Sequence, residues 1–116
     1  MSKKDQGNLL AIREAVLKIR RFSNGYESAD AFFADEIIYD AVLMNFIVIG
    51  EISNRLSEQL KAKNNHIQWA KIKSFRNIVA HNYFGVDAEE VWLIIADTLP
   101  TFEKQITQIL EDDENT

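Results

Sequence analysis

DEIIYDAVLMNFIVIGEISNRLSEQLK, residues 35–61, is the stretch whose reading decides the fold. Ile38, Ala41, Val42, Val48, Ile49, Ile52, Leu56 and Leu60 recur at helical spacing and make a core stripe. Leu43, Met44, Phe46 and Ile47 add apolar surface on other sides. A helix that is apolar nearly all round sits at the centre of a bundle or is shared between a core and a partner. In a chain of 116 residues, whose core is sufficient but not large, the shared arrangement is expected. The reading is one long helix over about Asp35–Lys61 and a homodimer formed through it. Gly50 would let another helix approach closely.

Working outward, four Gly and one Pro leave little room for turns, so the chain is expected to be all-α. A first helix is predicted from Asp5 to Phe22, with Leu9, Leu10, Ile12, Ala15, Val16, Ile19 and Phe22 as its stripe. Ser23-Asn24-Gly25-Tyr26 is a stop, and a short helix follows through Ala29, Phe32 and Phe33, capped by Ser28 or Asp30. After the polar Lys63-Asn64-Asn65 loop, a helix from Trp69 runs to Asn82. Asp87 and Glu90 have the spacing of a capping box for a last helix from Ala88 towards Glu111, which Pro100 either kinks or divides. Asp112–Thr116 reads as a disordered acidic tail, and residues 1–116 as one domain.

The chemistry concentrates in Arg76-Asn77-Ile78-Val79-Ala80-His81-Asn82-Tyr83. Arg is always charged and its planar fork suits phosphate. His gives or takes a proton near neutral pH. The two together over a phosphodiester suffice for metal-free RNA cleavage, because the 2′-hydroxyl of the RNA supplies the nucleophile. At about 100° per residue, Arg76 and Tyr83 lie about 20° apart, and Asn77 and His81 share a neighbouring face. Arg76 and His81 are about 140° apart, too far for an ideal helix to aim both at one atom. The Arg stem wraps round, the helix loosens near His81, or a second copy completes the site. Gly85 suits a helix end there.

Composition limits the alternatives. No cysteine means no disulfide framework, thiolate nucleophile or Cys zinc site, and His66 and His81 alone do not make a metal centre. There is no Gly-rich phosphate loop, no H-E-x-x-H and no G-x-S-x-G. The polar N-terminus is not a signal peptide, and the Ala41–Gly50 run is too short to span a bilayer, so a cytoplasmic protein is expected. A net charge of −5 argues against broad nucleic-acid binding, leaving Lys61, Lys63, Lys71, Lys73 and Arg76 as the basic patch, unless they form only a solvated face. Asp40, Asn45 and Glu51 either turn inward to hold Arg76 or face solvent. Trp69 and Trp92 read as core, and His66 as a surface residue.

Three stretches together resemble the HEPN superfamily, and within it the HepT-like toxin family. They are Ile49-Gly50-Glu51-Ile52-Ser53-Asn54-Arg55-Leu56, Ile67-Gln68-Trp69-Ala70-Lys71-Ile72, and Arg76 to Phe84, which matches the family's R-x-x-x-x-H-x-Y motif in full. Val86-Asp87, Val91-Trp92 and Leu99-Pro100 follow in order, so the likeness covers about residues 8–110. The resemblance implies a HEPN-like up-and-down bundle of four to five helices, dimerised through the long helix so that two motifs face one groove. It implies a metal-independent endoribonuclease that needs no cofactor, with Arg76 and His81 catalytic and Asn77 supporting. It further implies the toxin of a type VII toxin–antitoxin pair. Its partner would be an MNT-type nucleotidyltransferase antitoxin that neutralises it by transferring AMP from ATP onto Tyr83. Two other readings stay open: a non-catalytic subunit presenting substrate to the nucleotidyltransferase, and a purely structural dimer.

Overall fold

Helix α1 is Lys3–Ser23, started by Ser2, whose hydroxyl accepts from the Asp5 amide at 3.0 Å. Leu9, Ile12, Ala15, Val16 and Ile19 form its buried stripe, while Leu10 is turned outward. Gly25, at φ 95°, takes the left-handed conformation that the expected stop requires. Helix α2 is Ala29–Ala34, and the choice of cap falls on Ser28, which accepts from the Ala31 amide at 3.1 Å. Helices α3 (Glu36–Ser53), α4 (Glu58–Lys63) and α5 (Trp69–Ser74) follow, and α5 tightens into a 3₁₀ turn over Phe75–Asn77. Helix α6 is Ala88–Leu93, and a π-helical segment, Ile94–Thr98, joins it to α7, Leu99–Glu114. The computed structural model describes residues 1–78 and 88–115. Among them there is no strand, and the chain is an all-α bundle.

The expected single helix over residues 35–61 is two helices. Ser53 turns its hydroxyl back to the Gly50 carbonyl at 2.8 Å, and the amides of Arg55 and Leu56 bond three residues back, to Ile52 and Ser53. Those tight bonds end α3. Ser57 then starts α4, accepting from the Leu60 amide at 3.2 Å. Asp5 holds the break from the far end of α1: its carboxylate accepts from the Ser57 amide at 2.9 Å and from the Ser57 hydroxyl at 2.6 Å.

The inner stripe of α3 is also rotated from the one expected. Tyr39, Val42, Leu43, Phe46, Ile49 and Gly50 are buried, whereas Ile38, Ala41, Val48 and Ile52 are half-buried. Leu43 and Phe46 therefore belong to the core of this chain and are removed from the expected partner face. Ile37 (81% exposed) and Met44 (59%) remain outside, seven residues apart and so on one side of the helix. Helix α1 packs along α3, and α7 closes the core with Leu99, Phe102, Ile106 and Leu110. The last helical stretch keeps helical backbone from Ala88 to Glu114, so Pro100 does not start a separate segment. The π turn just before it is the wider turn that accommodates the proline ring and its missing amide. Asp112 to Glu114, expected in a disordered tail, continue α7.

Candidate functional site

The position of Arg76 follows from its neighbours. Ile72 and Phe75 are buried, and the Phe75 ring meets Phe46 of α3 edge-on, with centroids 5.1 Å apart at 82°. In the 3₁₀ turn, side chains three apart eclipse one another, so Phe75 and the half-buried Ile78 point inward together. Arg76 and Asn77, between them, are both exposed. The departure from ideal α geometry thus begins at Phe75, ahead of the motif histidine.

Gly50 makes the second anchor. A Cβ on Gly50 would lie 2.4 Å from the Arg76 nitrogen, 2.8 Å from its Cβ and 3.0 Å from its Cα. No side chain fits there, so α3 and the Arg76 backbone touch directly. The close approach expected at Gly50 is therefore made within the chain, by the motif itself.

The polar residues of α3 do not hold the guanidinium. Asn45 donates to the Ala41 carbonyl of its own helix at 2.9 Å, while Asp40 and Glu51 are exposed. Among the described residues Arg76 makes no ion pair. It is a fixed cation presented to solvent beside the end of α3. His81, Asn82 and Tyr83, together with Gly85 and Asp87, lie outside the described residues.

The basic patch divides. Lys63 borders a cavity with Asp5 and Asp113, and Lys71 borders one with His66 and Asp97. Lys61 and Lys73 share a third groove, with Asn54 and Trp69, next to the Gly50–Arg76 contact. The sequence places Lys61 and Lys73 in one patch; what it does not show is Asn54 beside them, since only the packing of α5 on α3 brings it there. Trp69 and Trp92 are half-buried against the core. The Trp69 Nε1 donates to the Asn64 carbonyl at 3.1 Å, and the Trp92 ring lies 5.5 Å from that of Phe32. Among the described residues no cluster of three His, Asp or Glu is placed to hold a metal, and no helix is long and apolar enough to cross a membrane.

Comparison with known proteins adds the context of this site. Residues 12–109 match the family described as "Ribonuclease HepT-like". A Methanocaldococcus jannaschii protein named as a candidate RNase is 32% identical over 113 residues, 97% of this chain and 93% of the relative. The probable ribonuclease HepT of Thermococcus cleftensis is 26% identical over 109 residues, 94% of this chain and 98% of its own. A further M. jannaschii protein, named a gamma-glutamylcyclotransferase as well as a candidate RNase, is 30% identical over 101 residues. This chain spans 45% of its length. No solved structure matches.

Proposed function

This chain belongs to the HepT-like ribonuclease family, and we propose that it is a metal-independent endoribonuclease and the toxin of a toxin–antitoxin pair. The observation that carries the reading is Arg76: exposed, without an ion pair among the described residues, and fixed through its backbone against Gly50 five residues before His81. Arg76 binds the scissile phosphate and stabilises the charge that develops on it. The 2′-hydroxyl loses its proton as its oxygen bonds to phosphorus, and the bond from phosphorus to the 5′-oxygen breaks. The products are a 2′,3′-cyclic phosphate and a 5′-hydroxyl. The leaving 5′-oxygen takes up a proton; His81 serves these proton transfers, and Asn77 orients the phosphate or the imidazole.

Ile37 and Met44, exposed on one side of α3, support a homodimer through that helix with two motifs facing one groove. The controlling partner is an MNT-type nucleotidyltransferase. It transfers AMP from ATP to the Tyr83 hydroxyl, releasing pyrophosphate, and the added phosphate, seven residues along the motif from Arg76, competes with RNA for the guanidinium. The test is RNA cleavage in EDTA with intact-mass measurement. Cleavage persists without metal, His81→Ala slows it by about 10²–10⁴-fold, and incubation with ATP and the transferase adds AMP to Tyr83 while activity disappears. Complete dependence on added magnesium overturns the mechanism. Modification without any cleavage by the unmodified chain assigns it instead to a non-catalytic subunit that presents substrate.

A further inference from the structure

α3 and the α5–3₁₀ segment pass each other with residue numbers running in opposite senses. Gly50 lies against Arg76, while Asn54, one turn later on α3, shares a groove with Lys73, one turn before Arg76. The groove holds about 260 Å³. Its wall is firm, because the Trp69 ring is tied by Nε1 to the Asn64 carbonyl and packs edge-on to Phe102 at 6.2 Å. Two lysines reach it, and they are not equivalent. Lys61 is neutralised by Glu58, whose carboxylate is 3.2 Å from its Nζ and which also borders the groove. Lys73 is exposed and makes no ion pair among the described residues. An exposed cation thus stands about one helical turn, roughly 5.4 Å, from the Arg76 backbone, in a groove that Asn54 also lines.

We propose that this groove is a second phosphate subsite. A single-stranded RNA bound with its scissile phosphate at Arg76 continues along the α3–α5 groove and places a neighbouring phosphate on Lys73 and Asn54. The subsite rests on the ribonuclease reading for the choice of RNA. Glu58 limits the subsite by occupying Lys61. The fold thereby sets binding strength on this side through one exposed carboxylate.

The experiment measures binding of the whole chain to a labelled, fully 2′-O-methylated single strand of about 12 nucleotides, which 2′-hydroxyl attack does not cleave. Affinity is followed by anisotropy from about 50 to about 200 mM salt. Lys73→Ala loosens binding about three- to tenfold, and the slope of log affinity against log salt shrinks by about 0.7, the value for one phosphate contact on a single strand. Lys73→Arg keeps the slope. Glu58→Gln frees Lys61 and tightens binding, whereas Lys104→Ala, on the exposed side of α7, changes nothing. An unaltered slope in Lys73→Ala, or an equal loss in Lys104→Ala, overturns the subsite. Cleavage of the unmethylated strand is read in parallel. Cleavage with the same KM in Lys73→Ala removes the subsite and leaves the ribonuclease reading standing. The slope change without cleavage keeps the subsite and removes that reading. No binding by the unaltered chain removes both.

Discussion

Asp5 and Arg76 are charged residues that flank the same end of α3, and the fold treats them in opposite ways. Asp5 is 5% exposed, and both of its carboxylate oxygens are occupied by Ser57. Burial alone would raise its pKa, but the bonds from the Ser57 hydroxyl and amide, with help from Ser2, outweigh burial and hold it below the ordinary aspartate value. Arg76 has its backbone fixed as firmly, by Gly50 and by Phe75 on Phe46, yet its guanidinium has no ionic partner among the described residues. A charge satisfied internally holds two helices together. A charge that is positioned, exposed and without an ionic partner among the described residues is presented outward.

The contrast is broken most severely at Arg76. Arg76→Ala is expected to lower the cleavage rate by about 10²–10³, or about 2.7–4 kcal/mol of transition-state stabilisation, with an unchanged melting temperature. A variant that loses stability instead places Arg76 with Asp5 among the structural charges. Asp5→Ala should do the reverse, destabilising by about 1–3 kcal/mol because the Ser57 amide loses its acceptor. Activity per folded molecule should stay near that of the unaltered chain, as denaturant titration and a rate assay on the same sample will show.

Gly50→Ala sharpens the comparison because it moves the anchor and leaves both charges in place. The added methyl meets backbone atoms and not the end of a flexible side chain. The expected cost is about 1–3 kcal/mol, together with a fall in kcat larger than any change in KM. A fall in stability alone would show that the contact braces the fold without placing the guanidinium. The smallest effect concerns pH. A carboxyl whose folded pKa lies below its unfolded value adds stability above the unfolded pKa, and that contribution is lost as pH falls through the folded one. Between neutral pH and acid, the unaltered chain should lose more stability than Asp5→Asn, and urea midpoints at successive pH values measure the difference.

Much of this was legible in residue order. The Leu9–Ile12–Val16–Ile19 stripe, the stop at Gly25 and the Ser28 cap are local features, set by helical periodicity and backbone preference within a few residues. The motif around Arg76 was legible too, and the 3₁₀ turn places its first two polar residues outward. The break after Ser53 had a local sign in Ser57, a good N-cap residue, but the uninterrupted apolar period hid it. The face of α3 was misread for a related reason: when nearly every side is apolar, periodicity does not say which side turns inward.

The sequence by itself determined an all-α chain and its family, and it singled out the residues proposed to carry its chemistry. Those follow from composition, from spacing along one helix and from a motif of eight residues. Only the tertiary structure decided where α3 stops, which of its apolar residues remain outside, and what Gly50 touches. It also decided that Lys61 and Lys73, from different helices, border one groove with Asn54. Each of these depends on contacts between residues far apart in the chain, Asp5 with Ser57, Phe46 with Phe75 and Gly50 with Arg76. Local propensity is blind to such pairs, because their energy exists only once the helices have packed.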